Sequence, residues 1–529
     1  MARAPLERFH HDSTPCRMTR AVAVVGMAAW FLLASAGCDV RALHRSEVPA
    51  SALTTVSVEN ARLKAHLHDG SLLVFRTWKL QESGTVVSGA GRRLDWNRQP
   101  GPDTMLSVPL DSVALFESDA ASVPGPMAAI TVVAAVHGAL SLYCALIPKA
   151  CFGSCPTFYA WDGERQALVA EGFSASVAPA LEATDLDALD RARPHAGRLT
   201  LTMTNEALET HVVRCADVLV AERPAGARVL ATADGAMFAT SGWRAPDVAR
   251  GPEGDCRAPL AARDGIERTS LADSIDLAAR ETIECRFERM PAGRPGLAIV
   301  ARQSLLSTYV FYQTLAWMGR SAGTWLASLE RMDAHALRRT LSPAAALGGI
   351  ALQMKRGDEW VAVGEFLETG PLASDTRLVP LTTAPDGPLS VRLSFTRGMW
   401  RLDQVALVGV GERVEPVRVR PSRVSRHGRP DARALACLAR RLGPLVTQPG
   451  DTLKLVYDLP RASADPELFL ESRGYYLEWM RDSWLAEENG ERAARLFLSP
   501  AASLREMAPE YKKVELEMER AFWGSRYAH

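Results

Sequence analysis

Cys151-Phe-Gly-Ser-Cys155-Pro-Thr-Phe-Tyr-Ala-Trp-Asp-Gly163 decides how this chain of 529 residues is read. Thr157–Trp161 is rich in aromatic and β-forming residues, Asp162-Gly163 is a hairpin dipeptide, and Gln166–Phe173 resumes an apolar run. Strand, turn and strand therefore follow the cysteine pair. Three readings of Cys151 and Cys155 compete. In an oxidising compartment they close a local disulfide that pins a Gly/Pro turn at the entrance of a β domain. In a second reading they bind a metal or exchange disulfides, chemistry that wants a helix directly behind the motif to lower the thiol pKa. In a third they are small buried apolar residues. The hairpin favours a structural junction, with the disulfide leading.

Cys-x-x-x-Cys-Pro also resembles the copper-binding motif of thioredoxin-fold copper chaperones. That resemblance implies a helix after Cys155, where the sequence reads as strand, so no metal or cofactor is expected. Cys144, Cys215, Cys256, Cys285 and Cys437 show no ligand spacing. A Cys256–Cys285 bridge stays open, because connectivity does not follow from sequence.

Upstream, residues 127–147 hold no Asp, Glu, Lys or Arg. A spanning helix needs ~20 predominantly apolar residues, so the length suffices. Thr131, His137, Gly138, Ser141 and Tyr143 dilute the run, and a buried or membrane-lying helix is preferred over a transmembrane one. Residues 56–117 read as a small β domain. There Leu63, Ala65 and Leu67 alternate with Lys64, His66 and His68, and Asp69-Gly70 makes a hairpin. His66, His68 and Asp69 lack further ligands at metal spacing, so a solvated strand face is expected.

At the N-terminus, Arg17 and Arg20 precede the apolar run 21–34, which ends in Ser35-Ala-Gly-Cys38. This resembles a bacterial lipoprotein signal, with Ser35 where leucine is usual. The resemblance implies removal of residues 1–37, translation from Met18, lipidation of Cys38 and a tether over 38–55. An uncleaved anchor is the alternative, and both place the following residues outside the cytoplasm.

Acidic and basic residues balance at 61 each, so no net field draws the chain to nucleic acid. Composition is that of a folded globular protein, 47% hydrophobic and 23% charged.

Downstream, residues 149–320 are expected to form a β-rich domain with a helix over 303–318. Ile283–Arg289 and Leu297–Arg302 read as a hairpin pair. Gly319-Arg-Ser321-Ala-Gly323 matches the Gly-x-Ser-x-Gly elbow of hydrolases, which needs a strand before the serine. Here a helix leads into Ser321, a second helix over 325–339 leads away, and His335 and His427 are lone partners. Residues 321–415 read as a β-sandwich with a leading helix, because Leu389, Val391, Leu393 and Phe395 alternate with polar residues between turn signals. A jelly roll resembling sugar-binding modules fits that pattern. Residues 416–529 read as strands followed by helices. Tyr475, Tyr476, Trp479 and Trp484 are expected in a core rather than on a sugar-stacking face.

Cys155-Pro-Thr-Phe-Tyr-Ala-Trp-Asp-Gly163, Leu201-Thr-Met-Thr-Asn-Glu206 and Phe469-Leu-Glu-Ser-Arg-Gly-Tyr475 follow one another in a familiar order. They resemble the uncharacterised β-rich region that accompanies FG-GAP and ASPIC-type repeats in secreted bacterial proteins, over roughly 148–479. The repeats and their calcium loops are absent from this sequence, so the resemblance implies no metal or catalytic residues. The expectation is a mainly β, multi-domain envelope protein, membrane-anchored through lipid, binding an envelope protein or carbohydrate. The competing class is an extracytoplasmic enzyme, with thiol or metal chemistry at Cys151 and Cys155 or hydrolysis at Ser321.

Overall fold

Period-two alternation resolves into several sheets, and the protein is mainly β. The computed structural model describes residues 42–48, 53, 62–67, 71–94, 100–122, 155–177, 179–207, 209–322, 325, 347–367, 370–381, 387–461, 466–478, 484 and 486–524. The signal region with Met18 and Cys38, the apolar segment 127–147, Cys144, Cys151, His335, Trp479 and the expected helix 325–339 apart from Trp325 lie outside the described residues.

The first sheet holds β1 (Ala42–Val48), β2 (Arg62–Leu67), β3 (Leu72–Phe75), β4 (Lys79–Leu80), β5 (Val86–Leu94), β6 (Pro100–Pro109) and β7 (Val113–Ser122). Its order is β1-β7-β2-β3-β5-β4, with β6 on β5. Leu63, Ala65, Phe75, Trp78, Val87 and Phe116 form its core. His66 departs from the expected solvated face, with 6% of its surface exposed. β2 is a central strand, and the register on β7 shifts after His66, so two consecutive side chains, His66 and Leu67, are both buried.

A second unit begins with β8 (Thr157–Trp161), β9 (Gln166–Glu171), β10 (Ala183–Ala188), β11 (Arg198–Thr204) and β12 (Glu209–Ala221). The Asp162-Gly163 turn joins β8 to β9: the Asp162 carboxylate accepts the Glu164 and Arg165 N–H groups at 3.0 Å each. The chain then leaves this unit for almost two hundred residues.

The excursion contains β13 (Arg228–Ala231), β14 (Met237–Arg244), β15 (Val248–Gly251), β16 (Gly254–Asp255), β17 (Arg280–Phe287), β18 (Arg294–Gln303) and α1 (Leu306–Met318). It continues through β19 (Ile350–Arg356), β20 (Glu359–Phe366), β21 (Asp375–Pro380), β22 (Leu389–Thr396) and β23 (Trp400–Arg413). β13-β14-β23-β18-β21 close a barrel, and β16-β15-β17-β22-β19-β20 form an open sheet. The expected hairpin of Ile283–Arg289 with Leu297–Arg302 is therefore corrected. β17 pairs β15 and β22, whereas β18 pairs β21 and β23. β17 alternates between buried and exposed, which suits a sheet wet on one face, while β18 is buried on both faces, which suits a barrel. The strands of 321–415 likewise divide between this barrel and this sheet, so residue 321 is not a boundary between units.

The chain re-enters the second unit with β24 (Val417–Val419), β25 (Arg423–Arg426), β26 (Arg429–Pro430), α2 (Ala432–Arg440), β27 (Leu445–Thr447), β28 (Thr452–Asp458) and β29 (Glu467–Glu478). Two sheets result, β10-β29-β12-β24 with β27 on β12, and β26-β25-β28-β11-β8-β9. They face each other across Phe158, Leu201, Val218, Leu455, Tyr457 and Leu470, which makes this unit a sandwich split by an insertion. α3 (Gly490–Leu498) and α4 (Pro500–Gly524) end the described chain. Leu504, Met507 and Tyr511 of α4 enter the core of the inserted unit, while Met518 and Phe522 pack with Tyr159 and Leu168 of the sandwich. Burying each such side chain contributes ~1.5–3 kcal/mol. No helix among the described residues is long and apolar enough to cross a membrane.

Gly89 shows how tightly the first sheet coils. A Cβ there would lie 1.9 Å from the Thr77 carbonyl oxygen, a backbone atom that cannot turn away. Gly89→Ala should destabilise this sheet by about 1–3 kcal/mol, read as lost hydrogen-exchange protection confined to residues 62–122. Unchanged protection would refute the close approach.

Candidate functional site: a buried carboxylate seam

β10 carries Ala-Thr-Asp185-Leu-Asp187-Ala, an alternation that sends Leu186 and Ala188 to one face and both aspartates to the other. On an edge strand that face would normally meet water. Here Leu186 and Ala188 pack against β13 and β14 of the inserted unit, and β21 of that unit confronts the aspartates with Asp375 and Arg377. Asp187 is only 7% exposed and Asp375 only 3%.

Arg377 is the cation at the centre. Its Nε lies 2.6 Å from Asp375 Oδ2, an ion pair by distance that is not aligned as a hydrogen bond, and its Nη2 lies 3.6 Å from Asp185. Asp375 Oδ1 also accepts the Thr376 N–H at 2.8 Å. Glu171, at the end of β9, accepts the Leu372 and Ala373 N–H groups on one oxygen at 2.6 and 2.7 Å. The backbone passes so closely that a Cβ on Gly370 would sit 2.2 Å from that oxygen. Asp187 Oδ2 is buried without a hydrogen-bond partner among the described residues.

Burial pushes the Asp185 carboxyl up to about 6, with Arg377 opposing the rise and Asp375 adding to it. Asp187 is held well above the usual carboxylate range by burial, then by Asp185 and Asp375. One end of the seam is better compensated. Asp190 meets Arg228 at 3.0 Å and also Arg263, and Thr376 Oγ1 donates to it at 3.2 Å. The arrangement can hold a proton between two structural units. Sequence reading missed it, because an acidic and apolar alternation looks like a solvated strand until the inserted unit is placed against it.

The groups singled out by motif are engaged otherwise. Cys155 lies in the sandwich core, where burial and the nearby Glu171, Glu209, Asp185 and Asp187 push its thiol well up and disfavour the thiolate. Its expected partner Cys151 is outside the described residues. Cys256 and Cys285 flank Ala249 on opposite sides: the Cys256 N–H donates to the Ala249 carbonyl at 3.0 Å, and Cys285 pairs with Ala249 across the ladder. Two strand spacings of ~4.8 Å separate them, more than the ~7 Å a disulfide spans between Cα atoms.

Ser321 closes a short 3-10 turn directly after α1, so a helix and not a strand enters it. Its hydroxyl donates to the Met318 carbonyl at 2.7 Å. His427 faces Asp451 at 3.3 Å on the turn after β25. No group of three or more His, Cys, Asp and Glu among the described residues is arranged to hold a metal. Tyr475, Tyr476 and Trp484 are buried.

The three segments that carry the resemblance meet inside the sandwich. One oxygen of Glu206 accepts the hydroxyls of Tyr159 at 2.8 Å, Thr204 at 2.7 Å and Thr157 at 3.3 Å. Phe158, Leu201, Met203 and Leu470, drawn from all three segments, share one core.

No protein-family model matches the chain, and no curated protein matches it. Among solved structures it is similar to BpGH86A, a β-porphyranase of glycoside hydrolase family 86 from the human gut bacterium Bacteroides plebeius, at 8% identity and a TM-score of 0.16. That match covers 42% of this chain and 36% of the other. A second is the GH31 α-xylosidase Xac1773 from Xanthomonas citri, at 10% identity and a TM-score of 0.15, covering 83% of this chain and 35% of the other. The chain spans about a third of the length of each, and likeness at this level carries no argument about activity.

Burial of Cys155 predicts that, under reducing conditions, the native chain will resist alkylation there at pH 8 while the denatured chain reacts at once. Peptide mass spectrometry reads the outcome, and rapid native labelling of Cys155 would contradict its placement.

Proposed function

We propose that the chain is a lipid-anchored cell-envelope protein, outside the cytoplasm, that works as a binding or assembly module without catalysis. The observation that carries the binding role is the outward face of the open sheet of the inserted unit. On it the Arg392 guanidinium lies over the Trp360 ring, 4.1 Å from the centroid. Lys355 stands opposite Trp360, Gln353 opposite Arg392, and Glu284 pairs with Arg392 at 2.5 Å from the other side. Ser390, Ser394 and Ala351 keep the middle of the face low.

An aromatic ring framed by amide, guanidinium, ammonium and carboxylate groups on a flat sheet suits a polysaccharide. A sugar would replace the Arg392 guanidinium on the ring with its own apolar face, and the displaced Arg392 and its polar neighbours would take the sugar hydroxyls. A lipid on Cys38 would hold this face near the membrane surface. The bonded Ser321 hydroxyl and the buried Cys155 weigh against hydrolase and thiol chemistry.

Co-sedimentation of the full chain with insoluble envelope polysaccharide tests the reading. Trp360→Ala should weaken retention roughly tenfold, the effect of ~1.4 kcal/mol, with the unfolding transition unchanged. Retention equal to that of the parent protein would remove the carbohydrate partner. Blocking lipoprotein maturation should leave a larger precursor, and no change in size would count against acylation of Cys38.

A further inference from the structure

The seam between the sandwich and the inserted unit holds more acid than it neutralises. β9 brings Glu171, β10 brings Asp185 and Asp187, β21 brings Asp375 and Arg377, and the chain two residues before β8 brings the Cys155 thiol. Four carboxylates face one guanidinium. Glu171 is met by two backbone N–H groups, Asp375 by Arg377 and the Thr376 N–H, and Asp185 by the Leu186 N–H at 2.9 Å and Arg377. Asp187 Oδ2 has no hydrogen-bond partner among the described residues. Further cations bond elsewhere, Arg228 and Arg263 to Asp190, and Arg228 and Arg223 to Glu467, although the Arg263 charge also reaches Asp375.

We propose that this junction is a proton-responsive joint, which closes tightly with a proton on the Asp185–Asp187 pair and loosens when both carboxylates ionise. The two sit on one face of one strand, ~7 Å apart, pressed by the inserted unit against Asp375 and Glu171. Closed, ionised Asp187 has almost no water and Asp185 has it on one side only, with Arg377 as their shared cation; opened, both have water.

The direction with pH follows from the closed-form values. Asp185 is raised to about 6 and Asp187 is raised well above its usual range. Groups that hold their protons more tightly in the closed form favour closure fully below the ordinary carboxylate value of ~3.9, and that contribution is lost as pH rises through the closed-form value. Over this window each such group lets the opening constant climb by up to ~tenfold per pH unit. Acidic surroundings tighten the joint and alkaline surroundings loosen it.

Hydrogen exchange on the full chain, corrected for intrinsic rates, tests this at pH 5 and pH 8. Segments 183–190 and 370–380 should be about tenfold or more better protected at pH 5, while 389–396 on the outer sheet stays constant. Asp185→Asn and Asp187→Asn together should bring the pH 8 protection up to the pH 5 level and flatten the dependence. Equal protection of the parent protein at both pH values, or a dependence that survives the double substitution, overturns the proposal. Should that variant not fold, infrared spectroscopy of the parent protein decides. A buried neutral carboxyl gives its own carbonyl band at pH 6, and absence of that band also overturns it.

Discussion

A backbone N–H shut away from water costs ~1–3 kcal/mol unless an acceptor reaches it. At the borders of the inserted unit that acceptor is repeatedly a carboxylate from another part of the chain. Glu171 of the sandwich takes the N–H groups of Leu372 and Ala373. From α4, Glu515 takes the Ala272 N–H at 2.7 Å and Glu519 takes the Leu305 N–H at 2.6 Å. These four bonds fix where the loops of the inserted unit lie against the sandwich and the last helix. They also explain why acid accumulates in the interior: carboxylates accept from backbone donors, and guanidinium groups cannot.

The strands themselves were legible. Residues 389–396 alternate in sequence and in burial, as do 198–204, because a sheet with one wet face imposes period two on its sequence. Partners were another matter. β12 pairs β29 across some two hundred and fifty residues, Val218 against Leu470, and nothing local in either strand names the other. The 283–302 hairpin failed for the same reason: Pro291–Gly296 reads as a tight turn, but it carries the chain from the open sheet into the barrel. A unit split by an insertion leaves no trace in periodicity.

The candidate site was hidden by the same topology. Cysteine spacing and Gly-x-Ser-x-Gly drew the reading to Cys155 and Ser321, since rare residues at short spacing are what sequence displays best. In the fold one is core and the other closes a helix end. Asp185 and Asp187 have an ordinary surface pattern, and they become unusual only when Asp375 and Arg377, nearly two hundred residues away, are brought onto their face. The acceptor role of Glu206 was equally invisible, because its donors come from β8 and β11.

The seam and the cluster around Arg268 both carry more carboxylate than guanidinium, and they behave in opposite ways. Arg268, 3% exposed, is held by Glu253 through two bonds of 2.8 Å and by Glu281 at 2.6 and 3.1 Å, with Ser270 donating to Glu281. The side chain of Glu253 is 42% exposed, so water shares its charge, and the Arg268 hydrogen bonds lower its pKa. That cluster keeps its charges. At the seam the outlet is narrower, with Asp187 7% exposed and the Asp185 side chain 25%, and burial raises both carboxyls instead of lowering them. An apolar pair at 185 and 187 would fill the same space with no charge to desolvate, and breaking up buried charge in that way is often neutral or stabilising. The two aspartates therefore contribute a stability that depends on pH, where leucines would contribute one that does not.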